Sequence, residues 1–260
     1  MSRRLLVPLL AVALGACGGG STTASTTPSL NGIQNKLPQQ ALKASRDALT
    51  SVKSVHLDAD FTDDKGAINF AADVDLDHRV AHLLGTERGG HFETIVSGAR
   101  VYLNGDGTFF KAIGQDSLGQ LFSGRWVLPP PSSPLATGLL ALVDRINFPD
   151  CVLAPAHGTL RVGGLGNVGG VTALTVNDAG DTPGSAPSSV SISAVSTPFP
   201  VRIQQTGGTR SGGPSAPPCS LAGSSVTKGT VALSHFNAAV AISVPSNAVD
   251  LSLLGGGPTP

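Results

Sequence analysis

The chain has 260 residues, with 17 basic and 17 acidic side chains and a formal net charge of zero. That balance argues against the concentrated basic face that nucleic-acid binding requires and against a polybasic clamp for a membrane surface. Aromatic residues make up only 4% while glycine and proline are abundant, a usage that suits many short strands joined by turns rather than long helices.

In chain order, Arg3 and Arg4 precede an apolar run from Leu5 to Leu14, and small residues lead to Cys17. A basic start, a short apolar core and small residues before the cut are the parts of an export signal. The context Leu14-Gly15-Ala16-Cys17 looks like a bacterial lipoprotein signal, in which the Cys17 sulfur receives a diacylglyceryl group and becomes the mature N-terminus. Leu5 to Leu14 is about half the apolar length that spans a bilayer, which argues against an anchor helix. Residues 1–16 are therefore read as signal peptide and 17–35 as lipidated cysteine and flexible tether. The stretch 18–30 is small and polar, with little to bury. One domain is expected over 36–250, and 251–260 reads as a disordered tail. With Cys17 acylated, Cys151 and Cys219 remain as an even pair in an oxidising compartment. They form either a disulfide, which is the expectation, or two unpaired buried thiols.

The first ordered element is a helix from about Pro38 to Val52, with proline suited to its first turn. Leu42, Ser45, Leu49 and Val52 form a stripe, with Ala41 and Ala48 beside it. The period then changes to two. Val55, Leu57, Ala59 and Phe61 alternate with His56, Asp58, Asp60 and Thr62. After a turn at Asp63 to Gly66, Ile68, Phe70, Ala72, Val74 and Leu76 alternate with polar residues. These predict two antiparallel strands with one apolar face and one wet face, followed by a meander at 79–87, 91–97 and 99–104. Phe109-Phe110 and Trp126-Val127-Leu128 flank a segment with a short turn of helix. A second helix is expected from Pro134 to Phe148, weakened by Gly138. Strands follow at 158–163, 168–177, 188–195 and 199–206, then a loop at 207–225 and a last pair at 226–234 and 238–244.

The motifs that carry chemistry elsewhere fail on context here. Gly164 to Gly169 matches G-x-G-x-x-G, but the residues after it read as a strand rather than a helix, so a glycine-rich hairpin connection is expected. Ser117 lacks the glycine two positions upstream that a nucleophile elbow needs. His78 and His82 fall in a segment read as strand, where positions i and i+4 are about 13 Å apart, too far to share one ion. Asp58, Asp60, Asp63 and Asp64 lack the calcium-loop pattern and read as a wet strand face leading into a turn. No catalytic residue, metal ligand or cofactor is expected. What remains is a succession of apolar strand faces, which either pack together as a dry core or line a hollow.

The order of parts is distinctive. A lipobox cysteine and polar tether lead to a helix running into Ser51-Val52-Lys53-Ser54-Val55-His56-Leu57. Val96 to Gly105, Gly124 to Val127, Thr197 to Ile203 and Leu233 to Pro245 follow. Over roughly 40–245 this resembles the LppX/LprG-type lipoproteins of actinobacteria, which share a fold with the LolA-like lipoprotein carriers. The resemblance implies an α+β fold: a curved antiparallel half-barrel with helices across its concave face. An apolar cavity between them takes the acyl chains of a lipid or glycolipid, without catalysis. Val55, Leu57, Phe61, Phe70, Val74, Val101, Leu103 and Ile203 are the candidates for its wall. The implied partners are that lipid, the membrane through the Cys17 anchor and an envelope transporter, with the protein on the outer face of the cell membrane. The proline-rich loop at 207–225 and the cysteine pair are departures from the family pattern. The competing readings are an envelope interaction or sensor lipoprotein with a filled core and, with little support, a secreted hydrolase.

Overall fold

The computed structural model describes residues 29–153, 158–212, 219 and 226–254. Cys17 and the signal peptide lie outside the described residues, as does the 255–260 part of the expected tail. Twelve strands form one sheet. In chain order they are β1 (Ser54–Thr62), β2 (Ala67–Asp75), β3 (Val80–Glu87), β4 (Gly90–Ser97), β5 (Arg100–Gly105), β6 (Val127–Leu128), β7 (Leu160–Val168), β8 (Val171–Asp178), β9 (Ser188–Ser193), β10 (Pro200–Gln205), β11 (Lys228–Ser234) and β12 (Val249–Asp250). Their spatial order is β12-β6-β5-β4-β3-β2-β1-β11-β10-β9-β8-β7, all antiparallel except the β12–β6 pair. Two meanders, β1–β6 and β7–β11, thus meet where β1 pairs with β11.

Five helices accompany the sheet: α1 (Pro38–Leu49), α2 (Gly107–Ala112), α3 (Asp116–Phe122), α4 (Pro134–Leu142) and α5 (Phe148–Val152). Pro38 opens α1, and the Gln40 carboxamide accepts from the Leu37 N–H just outside it, satisfying a donor with no partner inside the helix. Helix α1 buries Ala41, Ser45 and Leu49 against β7, β8 and β9 at one flank of the sheet, and α4 lies against β5 at the other. Helix α5 touches both α1 and α4 and joins α1 through the Arg46–Asp150 ion pair. The helices therefore bridge the two flanks over one face of the sheet. Among the described residues no helix is long and apolar enough to cross a membrane.

Cys151 and Cys219 form a disulfide with their Cα atoms 5.4 Å apart, which ties α5 to the loop before β11. The alternation of β1 to β5 places Val55, Leu57, Val74, Ala72, Leu83, Val96 and Val101 together in the main core.

Several expectations need correction. Residues 30–35 belong to the fold and not to the tether: Leu30 bridges Val195, and Ile33 is buried in a 3₁₀ turn. The helix expected from Pro134 to Phe148 is two helices, α4 and α5. The Asp144 carboxylate accepts from the backbone N–H groups of Ile146 and Asn147, and this local turn competes with helix continuation. Gly164 to Val168 lies within β7, and the connection itself is Gly169-Gly170, both at positive φ, as a tight two-residue hairpin requires. Strand β7 is a sheet edge and largely exposed, so it needs few side chains to bury. Residues 238–244 form no strand. Asn237 and Ala238 bond to Lys53 and Ser54 at the start of β1, whereas Val249 pairs with Val127 on β6. The segment between must travel five strand spacings, about 24 Å, so it runs between strands instead of along one. The expected tail is also shorter, since Leu251 is buried in a 3₁₀ turn (Leu251–Leu254).

Candidate functional site

The eight cavity-wall candidates all face the helix side of the sheet, because the registers carry them across it in rows. One row is Val55, Val74, Ala81, Val96 and Val101, each at most 3% exposed. The next is Leu233, Leu57, Ala72, Leu83, Thr94 and Leu103, each at most 4% exposed. Four candidates, Val55, Leu57, Val74 and Val101, are thus sealed in the main core. Leu103 instead joins a second, aromatic cluster with Phe109, Phe110, Phe122, Val127 and Leu251.

The third row behaves differently. Ile203, Val231, Ala59, Phe70, Gly85, Phe92 and Gly105 run across seven strands from β10 to β5. Ile203, Val231, Phe70 and Phe92 pack on the core yet stay only half-buried. Phe61, in the row beyond, is also half-buried, with its ring centre 6.2 Å from that of Phe70. Gly85 separates Phe70 from Phe92, and a Cβ there would lie 2.2 Å from the Asn69 carbonyl oxygen. Its absence permits the close backbone approach at this point. Across from the sheet, Leu139, Leu140 and Leu142 of α4 are half-buried against the same core.

The apolar interior is therefore closed at the end where β1 begins and partly open at the end where β1 finishes. Phe61, Phe70 and Ile203 belong to the open end. Val231 and the α4 leucines were not among the candidates. Val231 alternates correctly, but only its pairing with Ala59 and Ile203 places it there.

A charged group borders this end. Asp63 is 5% exposed, and its Oδ1 accepts from the Lys65 and Gly66 N–H groups. Arg88 donates through Nη2 to Asp63 Oδ2 (2.5 Å) and through Nη1 to Glu87 Oε1 and the Ala112 carbonyl (both 2.7 Å). Burial opposes ionisation of Asp63, but the hydrogen bonds from Lys65, Arg88 and Gly66 outweigh it and hold the carboxyl below its ordinary range. Glu87 is 9% exposed, and burial pushes its carboxyl up despite Arg88.

The opposite face is wet. Asp58 and Asp60 lie there with Asn69, Thr86 and Thr230 around an open hollow of about 530 Å³, and a second of about 610 Å³ adjoins His91, Glu93 and Asn104. His82 bonds Glu93 at 2.7 Å, and His56 bonds Asp73 at 2.7 Å. His78 sits in the β2–β3 turn, bonded to Asp75. Among the described residues no three His, Cys, Asp or Glu side chains are grouped to hold a metal ion.

No protein-family model matches the chain, and no curated protein matches it. Solved structures do. LprF from Mycobacterium bovis is similar over 80% of this chain and 96% of its own, at 15% identity and a TM-score of 0.51. The lipoprotein LppX from Mycobacterium tuberculosis is similar over 79% of this chain and 98% of its own, at 14% identity and a TM-score of 0.48. The chain has the LppX/LprG-type, LolA-like fold, an α+β architecture in which a curved, mostly antiparallel sheet carries helices on one face.

Proposed function

We propose that the protein is a non-enzymatic lipoprotein of the cell envelope, held to the outer face of the cell membrane by the lipid on Cys17. In this reading it takes the acyl chains of a lipid or glycolipid between the sheet and its helices and carries or presents them, with an envelope transporter as a further partner. The observation that carries the reading is the third row of the sheet. Ile203, Val231, Phe70 and Phe92 remain half-buried beside a fully buried core, an apolar surface that an acyl chain extends. Each methylene withdrawn from water there contributes about 0.8 kcal/mol. The four sealed candidates favour the second reading, a filled core and a role in binding other envelope proteins.

The two readings part on one experiment. The Cys17→Ala protein, purified without its own anchor, is extracted with organic solvent and the extract analysed by mass spectrometry. Near one equivalent of co-purified lipid is expected. An extract free of lipid, with a lipid-free protein that takes up no acyl probe, sinks the carrier reading in favour of the filled core.

A further inference from the structure

On the face of the sheet turned away from the helices, one row sets apolar residues between two carboxylates. Ala232, Asp58, Ala71, Leu84, Glu93 and Asn104 lie side by side on six neighbouring strands, from β11 to β5. Leu84 is 50% exposed in the middle of this row. It lines both the open hollow of about 530 Å³ and the adjoining one of about 610 Å³. Asp58 and Asp60 line the first hollow, and Glu93 and Asp106 line the second. Among the described residues no lysine or arginine lines either.

The charges on this face do not cancel. Strands β1 to β4 hold Asp58, Asp60, Asp73 and Glu93 on it, and the Asp60 carboxylate makes no hydrogen bond or ion pair among the described residues. The lysine and arginine nearest to them on this face are Arg202, two strands from Asp58 in the same row, and Lys228, diagonal to Asp60 on β11. His56 lies between Asp58 and Asp73, His82 bonds Glu93 at 2.7 Å, and His91 borders the second hollow. Even with His56 protonated, those four carboxylates outnumber the three cations His56, Arg202 and Lys228, and the last two both sit at one flank. Asp106 is committed to the His91 and Phe109 N–H groups. At the strand ends Asp75 bonds His78, Arg100 faces Asp250, and Asp64 and Lys65 are neighbours in the β1–β2 turn, so none of these tips the count.

The spacing of these charges fits an extended chain. Asp58 and Glu93 are three strands apart in the row, about 14 Å. In an extended segment residues i and i+4 point to the same side about 13 Å apart, with residue i+2 midway. We propose that this face docks an extended basic segment of another protein, laid across the strands, with lysine or arginine at i and i+4 and an apolar residue at i+2. The first cation meets Asp58 and Asp60, the apolar side chain meets Ala71 and Leu84, and the second cation meets Glu93. Long basic side chains suit such a row, because their stems cover apolar surface while their heads stay in water. Arg202 repels a further basic residue beyond the first, which sets the register of the segment. Lipid binding on the opposite face is not required.

NMR titration of the isotope-labelled Cys17→Ala protein tests this with two peptides of one composition. Gly-Lys-Thr-Val-Thr-Lys-Gly has the required spacing, and Gly-Thr-Lys-Lys-Val-Thr-Gly has its lysines adjacent. Saturable shifts at the Asp58, Asp60, Leu84 and Glu93 amides are expected with the first, and binding at least about threefold weaker with the second. The double variant Asp58→Asn, Asp60→Asn is expected to weaken the first peptide about fivefold, the scale of two exposed charge contacts, and Leu84→Ser about threefold. Asp47→Asn, Asp77→Asn makes an equal charge change where both carboxylates pair with the helix layer, through Lys43 and Arg145, and is expected to stay within about twofold. Equal losses in the two double variants, or equal binding of the two peptides, reduce the effect to nonspecific charge attraction and overturn the docking face. Shifts that fall elsewhere, or none at all, overturn it as well. Maltoheptaose, rich in hydroxyl groups and uncharged, is expected to leave these amides unmoved. Its binding in place of the peptide assigns the face to glycans and sinks the protein partner.

Discussion

Glu87 and Asp63 share Arg88 but respond to pH in opposite directions. Asp63 has a lowered folded pKa, so its stabilisation is present above the ordinary aspartate range and is lost as pH falls through the folded value. Glu87 has a raised folded pKa, mainly from burial. Between the ordinary glutamate range and that raised value the folded protein binds the extra proton, and stability falls as pH rises. Glu87→Gln is therefore expected to melt above wild type at pH 7, with the difference vanishing below about pH 4, the unperturbed glutamate range. Melting curves across that interval check it. A variant less stable than wild type at neutral pH makes Glu87 a structural ion-pair partner. Little of this was legible beforehand. The spacing of Ala81, Leu83, Gly85 and Glu87 puts all four on one strand face, but nothing local indicates that Asp63 already occupies the only nearby guanidinium.

The elements were easier to read, and the errors among them share a cause. Strands β1 to β5 emerge from strict alternation because each has one buried face and one wet face. The helix at Pro38 emerges from a proline start and an apolar stripe. Misreadings fell where the pattern persists but the backbone partner differs. Residues 238–244 alternate, yet they must pass between β1 and β6, and extended chain without a neighbour is not a strand. Gly164 to Asn167 reads as a hairpin connection because an edge strand can be glycine-rich and exposed. The disulfide is the one covalent tie between elements in the described structure, and it joins α5 to Cys219, ahead of β11. It closes 68 residues of sequence separation, for which the chain-entropy model gives about 4 kcal/mol. A Cys151→Ser, Cys219→Ser double variant is expected to lose stability on that scale in urea titration. Because α5 contacts both α1 and α4, the loss should extend to the helices that bridge the sheet. An unchanged midpoint shows that packing alone holds them.

At the scale of the molecule, the chain enters the domain and opens to solvent at opposite ends. Leu30 bridges Val195, and the Asn31 side chain donates to the Ser193 and Ser196 carbonyls beyond the end of β9. This is the end where β1 begins, whereas the half-buried row lies toward the end where β1 finishes. Leu30, where the described chain joins the fold, and the proposed lipid site thus lie toward opposite ends of the strands. Cys17→Ala is expected to move the protein from the membrane fraction to the soluble fraction without changing its affinity for an acyl probe. Affinity that falls with the anchor tells against an independent site. By itself the sequence determined which residues face each other's side of the sheet and where most strands and the first helix lie. Those depend on periodicity and local backbone preference, which neighbouring residues encode. Only the tertiary structure decided how the apolar face is divided, sealing Val55, Leu57, Val74 and Val101 and leaving Phe61, Phe70 and Ile203 partly open. Burial depends on which helices cover which rows and on side chains brought together from strands more than a hundred residues apart, as when β1 pairs with β11. No local pattern carries that information.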